Sequence, residues 1–166
     1  MNLEEFQQQL FDCAPDLVRF STALCCDIEA GEALAYDGLK RAIEKRKFWN
    51  AKRNLKIWLL QIIHHLAADR SASNFSGTDN SNKRLPPVGG MDPALLMRMQ
   101  ACLQVMPFEQ RSVYLLATLE KLSYKDIAGI IGTDIDSIIA HLHSARSQLR
   151  MACQSSPIQK TTATNR

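Results

Sequence analysis

The stretch that decides the fold reads LSYKDIAGIIGTDIDSIIAHLHSARSQL and occupies residues 122–149. Ser123 is a favourable N-cap for a short apolar helix, and Gly132 stands where the end of that helix favours a positive φ. Thr133 or Asp134 can cap a second helix that begins near Ile135. A short helix, a turn that contains Gly and a second helix predict a helix-turn-helix, although an ordinary αα-hairpin has the same spacing.

Helical periodicity continues through the rest of the chain. The second helix of the motif has apolar residues at spacings of 4, 3 and 4, namely Ile138, Leu142, Ala145 and Leu149. The same spacings recur earlier in the chain at Leu55, Leu59, Ile62 and Leu66. Such spacing places each set on one helix face, and no alternating pattern of useful length indicates a strand. We therefore predict an all-α protein.

The composition changes in the middle of the chain. Residues 71–92 are rich in Ser, Asn, Gly and Pro and lack apolar periodicity, so we predict a flexible linker. A structureless connection of about 20 residues is uncommon inside one compact domain. The sequence thus predicts two small helical domains, 1–70 and 93–153, followed by a disordered tail at 154–166. A linker of this composition permits a compact or an open arrangement of the two domains.

Charge is distributed unevenly along the chain. The 166 residues have a net charge of +3, but residues 1–37 sum to −7 and residues 38–56 sum to +7. An acidic segment beside a dense basic run indicates at least two partners, one of them a polyanion such as nucleic acid.

Several classes of protein are disfavoured. No run approaches the roughly 18 apolar residues of a membrane span, and Glu4 and Glu5 stand where a signal peptide needs positive charge. The five cysteines have no CxxC spacing, which favours reduced thiols in the cytoplasm. The adjacent pairs Cys25-Cys26 and His64-His65 lack metal-ligand spacing. No nucleophile triad or Gly-rich phosphate loop occurs, so we expect a cytoplasmic protein that is not an enzyme, has neither metal nor cofactor and does not insert into a membrane.

Further motifs extend the helix-turn-helix pattern. They are Met106-Pro107-Phe108-Glu109-Gln110-Arg111, Leu115-Leu116, Leu122-Ser123-Tyr124-Lys125-Asp126-Ile127-Ala128, Gly132, Leu142-His143 and Ala145-Arg146. In this order they resemble region 4 of bacterial extracytoplasmic-function (ECF) sigma factors. That region typically reads LPxxQR, a leucine-rich helix, LSYxEIA, a Gly and a recognition helix close to TVKSRLHRAR.

The first block carries a second resemblance. Its residues are Asn54-Leu55-Lys56-Ile57-Trp58-Leu59-Leu60, Ile62, His65-Leu66-Ala67 and Asp69-Arg70. They are similar to the family's region 2 pattern, (N/F)xxWLxxIAxNxxxDxxR. The two resemblances occur in the family's order, with a linker of the expected kind between them.

The resemblance implies a dissociable promoter-specificity subunit of RNA polymerase. Region 2 of the family binds the clamp helices of the core enzyme, opens the minus-10 element and captures a flipped base. Region 4 reads the minus-35 element in the major groove and touches the flap of the core enzyme. An anti-sigma factor commonly holds such proteins inactive, and we expect a monomer when the protein is free.

The basic run is the expected minus-10 surface. Melted DNA needs cations along its phosphates and flat side chains on which unpaired bases stack. The residues that the resemblance places there are Lys47, Phe48, Trp49, Asn50, Lys52, Arg53, Asn54, Gln61, His65 and Arg70. The alternative is a solvated basic face with Phe48 and Trp49 packed into the core.

The expected polymerase-docking segment departs from the family. The usual signature resembles DAEDLVQETFLRA, whereas this chain has Ala35 and Tyr36 in place of the usual Gln and acid. Gly31 and Gly38 each weaken a helix by about 1 kcal/mol relative to Ala. The residues that the resemblance assigns to docking are Glu29, Glu32, Leu34, Asp37, Leu39 and Arg41.

The recognition helix departs more sharply. Ile139-Ala140-His141 and Ser144 replace the family's K-S-R and its next R, and the charges of residues 134–150 cancel. An Arg can clasp guanine with two hydrogen bonds, which a neutral His or Ser cannot reproduce. The expected minus-35 residues are Arg111, Ser123, Tyr124, Lys125, Ser137, Ala140, His141, His143, Ser144 and Arg146.

Two other functions remain open. A sigma-like interaction protein could bind an anti-sigma factor or polymerase with degenerate promoter recognition, which the neutral recognition helix favours and the basic-aromatic run disfavours. A plain helix-turn-helix regulator would leave the motif around Trp58 unexplained.

The neutral recognition helix predicts weak readout of the minus-35 element. We expect the purified protein to bind a guanine-rich minus-35 duplex with about 1–3 kcal/mol less discrimination for each lost bidentate contact. Equilibrium binding to a labelled duplex at fixed salt measures this difference. Affinity equal to that of a typical family member would contradict the prediction.

Overall fold

A computed structural model describes residues 3–50, 52–73 and 92–154. Over these ranges the chain forms seven α-helices and one 3-10 turn, without a strand. The helices are α1 (Leu3–Cys25), α2 (Ile28–Glu44), α3 (Leu55–Ser73), α4 (Pro93–Val105), α5 (Phe108–Thr118), α6 (Tyr124–Ile131) and α7 (Ile135–Gln154), and the 3-10 turn is Arg46–Phe48. The all-α prediction is confirmed. None of these helices is long and apolar enough to cross a membrane.

The first block consists of α1, α2 and α3, and its closest contact is between α1 and α2. Asp27 caps α2 by accepting a hydrogen bond of 2.8 Å from the backbone N–H of Ala30. One turn later, Gly31 faces Thr22, and a Cβ at Gly31 would lie 2.3 Å from the Thr22 Cα. The glycine that weakens the helix by propensity is therefore required by the close approach of the two helices.

The second block consists of α4 to α7 and contains the predicted helix-turn-helix as α6 and α7. The predicted apolar face of α7 is buried along its whole length, at Ile138, Leu142, Ala145 and Leu149. Leu149 and Ala145 pack with Met106, while Ile138 and Leu142 join the main core. The prediction that these four residues form the buried face of α7 is therefore confirmed.

The periodicity of α3 did not identify all of its buried positions. The predicted face comprised Leu55, Leu59, Ile62 and Leu66, but Ile62 and Leu66 are only half-buried, whereas Leu60, Ile63 and Ala67 are buried. The physical reason is that α3 packs against α1 and α2 on one side and against α5 and α6 on the other. A helix between two layers does not show a single apolar stripe.

The two blocks pack directly against each other. One hydrophobic cluster includes Phe20 and Leu34 of the first block and Leu116 and Ile127 of the second. Helix α1 also contacts α5, and α3 contacts both α5 and α6. Of the two arrangements that the linker composition permits, this structure has the compact one.

The block boundaries shift slightly from the predicted ones. Helix α3 continues to Ser73, beyond the expected boundary at residue 70, and α7 continues to Gln154. The flexible linker was predicted for residues 71–92 and the disordered tail for residues 154–166. Of these, residues 71–73 and Gln154 are helical, and residues 74–91 and 155–166 lie outside the described residues. The division into separate domains stays a prediction.

Two glycine substitutions test the contact between α1 and α2. Gly31→Ala should lower the free energy of unfolding by about 2–3 kcal/mol, because its Cβ would overlap the backbone of α1. Gly129→Ala is the matched control on α6, where an added Cβ meets nothing within 4 Å, and should raise stability by about 0.5–1 kcal/mol. Urea unfolding measures both changes. Equal effects at the two positions would contradict the assigned role of Gly31.

Candidate nucleic-acid interface

The helix-turn-helix is fixed by its caps. Ser123 accepts a hydrogen bond of 3.1 Å from the Asp126 backbone N–H and donates one of 2.7 Å to the Asp126 carboxylate. Gly132 ends α6 at φ 82°, as predicted. Asp134, rather than Thr133, caps α7. The local geometry of the predicted motif is therefore present in full.

Asp134 and Ser137 are joined by two hydrogen bonds at the start of α7. The Asp134 carboxylate accepts hydrogen bonds from the backbone N–H of Ser137 at 2.8 Å and from its hydroxyl at 2.9 Å. These bonds hold the pKa of Asp134 below its usual value. Ser137 and Ser123, both predicted to face DNA, are thus engaged in capping.

The exposed face of α7 carries few cations. A groove of the second block is lined by Tyr124, Ile139, Leu142, His143, Arg146, Ser147 and Arg150. The predicted residues Tyr124, Lys125, Ala140, His143 and Arg146 are exposed. Arg150 was not predicted, although it stands four residues after Arg146 and so shares its helix face. The positive charge of this face lies in the C-terminal half of α7.

Two predicted minus-35 residues turn toward α5 instead. The Ser144 hydroxyl lies 3.4 Å from Oε1 of Gln110, and Nε2 of His141 lies 3.7 Å from Oε2 of Glu109. His143 points away from this contact and is exposed, in line with the expectation that one face cannot present both histidines. The helix therefore offers fewer base-reading groups than its sequence suggests.

Arg111 lies apart from this face. Its Nη1 donates a hydrogen bond of 2.9 Å to the carbonyl of Leu103 and lies 3.8 Å from the Cys26 sulfur. Together with Cys25 and Arg70 it lines a groove between the two blocks. The assignment of Arg111 to the minus-35 surface stays a prediction; in this structure its guanidinium holds α4 and faces the first block.

The basic loop between α2 and α3 presents one free aromatic ring. Phe48 is 83% exposed within a run of exposed cations formed by Lys45, Arg46, Lys47, Lys52 and Arg53. Trp49 instead packs on Phe6 and Trp58, with ring centroids 5.6 and 6.5 Å away. Of the two rings predicted to stack on bases, Phe48 is exposed, whereas Trp49 packs against the core, as the alternative interpretation of this segment expected.

The two asparagines of this loop shape its backbone. The Asn50 side-chain oxygen accepts a hydrogen bond of 3.0 Å from the backbone N–H of Lys52. The Asn54 side-chain oxygen accepts one of 3.3 Å from the backbone N–H of Ile57 at the start of α3. Both amides fix the loop that carries Phe48, in addition to any contact that they make with a base.

The remaining predicted minus-10 residues are spread along α3. Gln61 donates a hydrogen bond of 3.4 Å to the carbonyl of Gly129 in α6. His65 is exposed, and Arg70 is ion-paired with Asp37 of α2. The structure brings Arg53, Asn54 and Gln61 into one groove but places Arg70 elsewhere.

The predicted polymerase-docking residues divide by exposure. Glu29, Glu32 and Arg41 are exposed on α2, and Leu39 is half-buried. Leu34 has no exposed surface and belongs to the core, so the prediction that it contacts polymerase is wrong. Its burial follows from the packing of α2 on α1 and α3.

A buried histidine joins the two blocks. His64 of α3 shares a hydrogen bond of 2.9 Å with the Ser112 hydroxyl of α5 and stacks on Phe108 at a centroid distance of 5.4 Å. Burial, aided by the neighbouring His65, lowers the pKa of His64 to about 4. The imidazole is therefore neutral at physiological pH.

The second block matches a known family. Residues 96–149 match the family model described as sigma-70, region 4. The match spans α5, α6 and most of α4 and α7. The helix-turn-helix of α6 and α7 therefore lies almost entirely within the matched region.

Relatives of similar length cover both blocks. The ECF RNA polymerase sigma factor EcfG of Rhodopseudomonas palustris (strain TIE-1) is 23% identical over 152 residues, covering 88% of this chain and 83% of the relative. The sigma factor RpoE of Bartonella quintana, solved in complex with the anti-sigma factor NepR, matches with a TM-score of 0.79 and 24% identity, covering 93% of this chain and 100% of that one.

A second solved structure shares the fold. CnrH, in complex with the cytosolic domain of CnrY, matches with a TM-score of 0.70 and 16% identity, covering 94% of this chain and 92% of that one. These findings confirm the resemblance to ECF sigma factors that the sequence motifs indicated.

His64 makes the stability of the protein depend on pH. Because the pKa of His64 falls from about 6.5 when unfolded to about 4 when folded, the unfolded chain binds more protons between these values. Above pH 6.5 the protonation of His64 does not lower the free energy of unfolding. As the pH falls below that value the free energy of unfolding decreases, by about 2 kcal/mol at pH 5. Urea unfolding from pH 7.5 to 5 measures this loss.

Two variants isolate the contribution of His64. His64→Gln should flatten the pH dependence over this range, whereas His143→Gln, at an exposed position, should retain it. An unchanged slope in His64→Gln would assign the effect to another group.

Proposed function

We propose that the protein is an ECF-type sigma factor that directs RNA polymerase core enzyme to specific promoters and assists their opening. We place it in the cytoplasm, under the control of an anti-sigma factor. The observation that carries the proposal is the exposed Phe48 ring within a run of cations, on a chain that also contains a sigma-70 region 4 helix-turn-helix. These are the parts that promoter opening and promoter reading need.

The first block would act on unpaired DNA. The cations around Phe48 can neutralise phosphates, and the ring can stack on one base at about 1–3 kcal/mol. Binding that favours the melted strand over the duplex shifts the equilibrium toward opening without a covalent step. In this proposal the protein is a binding subunit and not an enzyme.

The second block would contact the upstream promoter element through the C-terminal half of α7. His143, Arg146 and Arg150 line its groove together with the apolar Ile139. Two arginines on one helix face can contact phosphates or guanine edges. Most of the electrostatic attraction to DNA would nevertheless come from the basic loop of the first block.

Protein partners would use other surfaces. Glu29, Glu32 and Arg41 lie exposed on α2, where the family resemblance places polymerase docking. Control by an anti-sigma factor is supported by RpoE and CnrH, which share this fold and were solved with NepR and with the cytosolic domain of CnrY.

A second candidate function is a sigma-like interaction protein with degenerate promoter recognition. The first turns of α7 expose Ile135 and Ile139, at 45% and 47%, where base-reading side chains are expected. Exposed apolar side chains suit a protein partner better than DNA. This candidate predicts binding to an anti-sigma factor without transcription.

Phe48→Ala tests the preferred function because it removes an exposed ring without disturbing the core. In transcription from a fork-junction promoter with core polymerase, we expect about a tenfold loss of open complexes, which corresponds to one stacking contact. The thermal midpoint should not change. Phe11→Ala is the matched control, since Phe11 is 80% exposed on α1.

The outcomes separate the two candidates. Equal activity of Phe48→Ala and wild type would contradict the role of Phe48. Wild-type protein that binds an anti-sigma factor stably but yields no transcripts would support the second candidate. Trp49→Ala is uninformative for DNA because loss of its packing on Phe6 lowers stability itself.

A further inference from the structure

Helix α7 presents two apolar side chains at the positions where the family pattern has Lys and Ser. Ile139 is 47% exposed, and Ala140 beside it is also exposed. The residues on either side of this pair in the helix pattern, Ile138 and Leu142, are buried in the core. The helix therefore packs through its other face and leaves Ile139 and Ala140 facing solvent.

Cations stand beside this apolar pair. Three large apolar side chains of α7 are exposed, and of these only Ile139 lines the groove that also contains Arg146 and Arg150. The other two, Ile135 and Met151, lie outside that groove. A protein-binding site is typically a contiguous apolar patch, whereas this surface joins a small apolar spot to two arginines. It therefore suits a polyanion that carries an apolar group.

The spacing of these groups fits the major groove of a DNA duplex. Arg146 and Arg150 lie about 11 and 17 Å beyond Ile139 along the helix axis. The major groove is about 12 Å wide, so a helix whose apolar pair meets the base edges can bring these arginines to the phosphates at the groove wall.

The chemistry of the base edges decides which base the apolar pair can contact. In the major groove guanine, cytosine and adenine present hydrogen-bonding groups, and thymine adds the 5-methyl group. Neither Ile139 nor Ala140 has a side-chain donor or acceptor, so neither can read a base by a hydrogen bond. An apolar contact with a thymine methyl is the remaining specific interaction.

We infer that Ile139 and Ala140 recognise thymine methyl groups, so that the minus-35 element of this protein is selected for thymine. The inference rests on the proposed function, because it needs α7 to lie in the major groove of promoter DNA. Adjacent residues of a helix point about 100° apart, so the two side chains would contact different thymines. Arg146 and Arg150 would hold the helix in place through phosphates without reading the sequence.

Replacement of thymine by uracil tests the inference in the wild-type protein. Holoenzyme formed from the full-length chain and core polymerase is first used to select fork-junction promoters with a randomised minus-35 duplex, and we expect enrichment of thymine. Each enriched thymine is then replaced by uracil, which removes the methyl group and keeps the base pair. Binding should weaken about fourfold for each methyl that α7 buries. Uracil in the spacer between the promoter elements is the control and should change nothing.

Variants of Ile139 assign the contact to this side chain. Ile139→Ala should abolish the preference for thymine over uracil at one enriched position and retain it at another. Ile139→Lys should shift the selection toward guanine, because Lys can donate hydrogen bonds to the O6 and N7 atoms of guanine. Val105→Ala is the matched control, since Val105 is an exposed β-branched residue of the second block at 83% and lies outside the groove.

The inference is overturned if uracil leaves the affinity unchanged at every enriched thymine, or if Ile139→Ala keeps the full response to uracil at all of them. It is also overturned if the holoenzyme enriches no minus-35 sequence while Ile139→Ala weakens binding to an anti-sigma factor, because the side chain would then serve a protein partner.

Failure of the proposed function looks different. In that case the wild-type holoenzyme retains no fork-junction promoter at all, even one whose minus-10 element is already unpaired. A wrong inference about thymine leaves that binding intact and changes only the response to uracil.

Discussion

The burial of α3 on two opposite sides is the constraint on which the rest of the structure depends. Leu59, Leu60 and Ile63 connect the first block to the hydrophobic cluster that also contains α5 and α6. The same helix carries His64 and Lys56, the polar groups that cross the boundary between the blocks. The basic loop leads directly into α3, so the orientation of this helix also fixes where Phe48 is presented.

The fold was largely predictable because its determinants are local. Ser123, Gly132 and the apolar face of α7 lie close together in sequence, and each has a single dominant physical role. The periodicity of α3 was less informative because burial on two sides removes the contrast between an apolar and a polar face. Gly31 was interpreted as a residue that weakens α2, whereas the structure shows that close packing against Thr22 leaves no space for a larger residue at this position.

The candidate site was predictable in composition but not in the use of individual side chains. Sequence could place Phe48 and Trp49 in one basic run, but only packing separates the exposed ring from the buried one. Arg111 and Leu34 carried roles transferred by motif position, whereas in the structure Arg111 is bonded to the Leu103 carbonyl and Leu34 is buried in the core. The buried Glu120 had no sequence signal, since its two cationic partners are more than 60 residues away in the chain.

The cap at the start of α7 has a consequence for how this helix can approach a duplex. Backbone N–H groups at a helix start commonly receive a phosphate, but here the Asp134 carboxylate already holds the N–H of Ser137, and Asp136 adds a second negative charge. The acidic start of α7 therefore disfavours an end-on approach of a phosphate. In the proposed function, the exposed His143, about 13 Å further along the axis, would meet a duplex along the flank of α7.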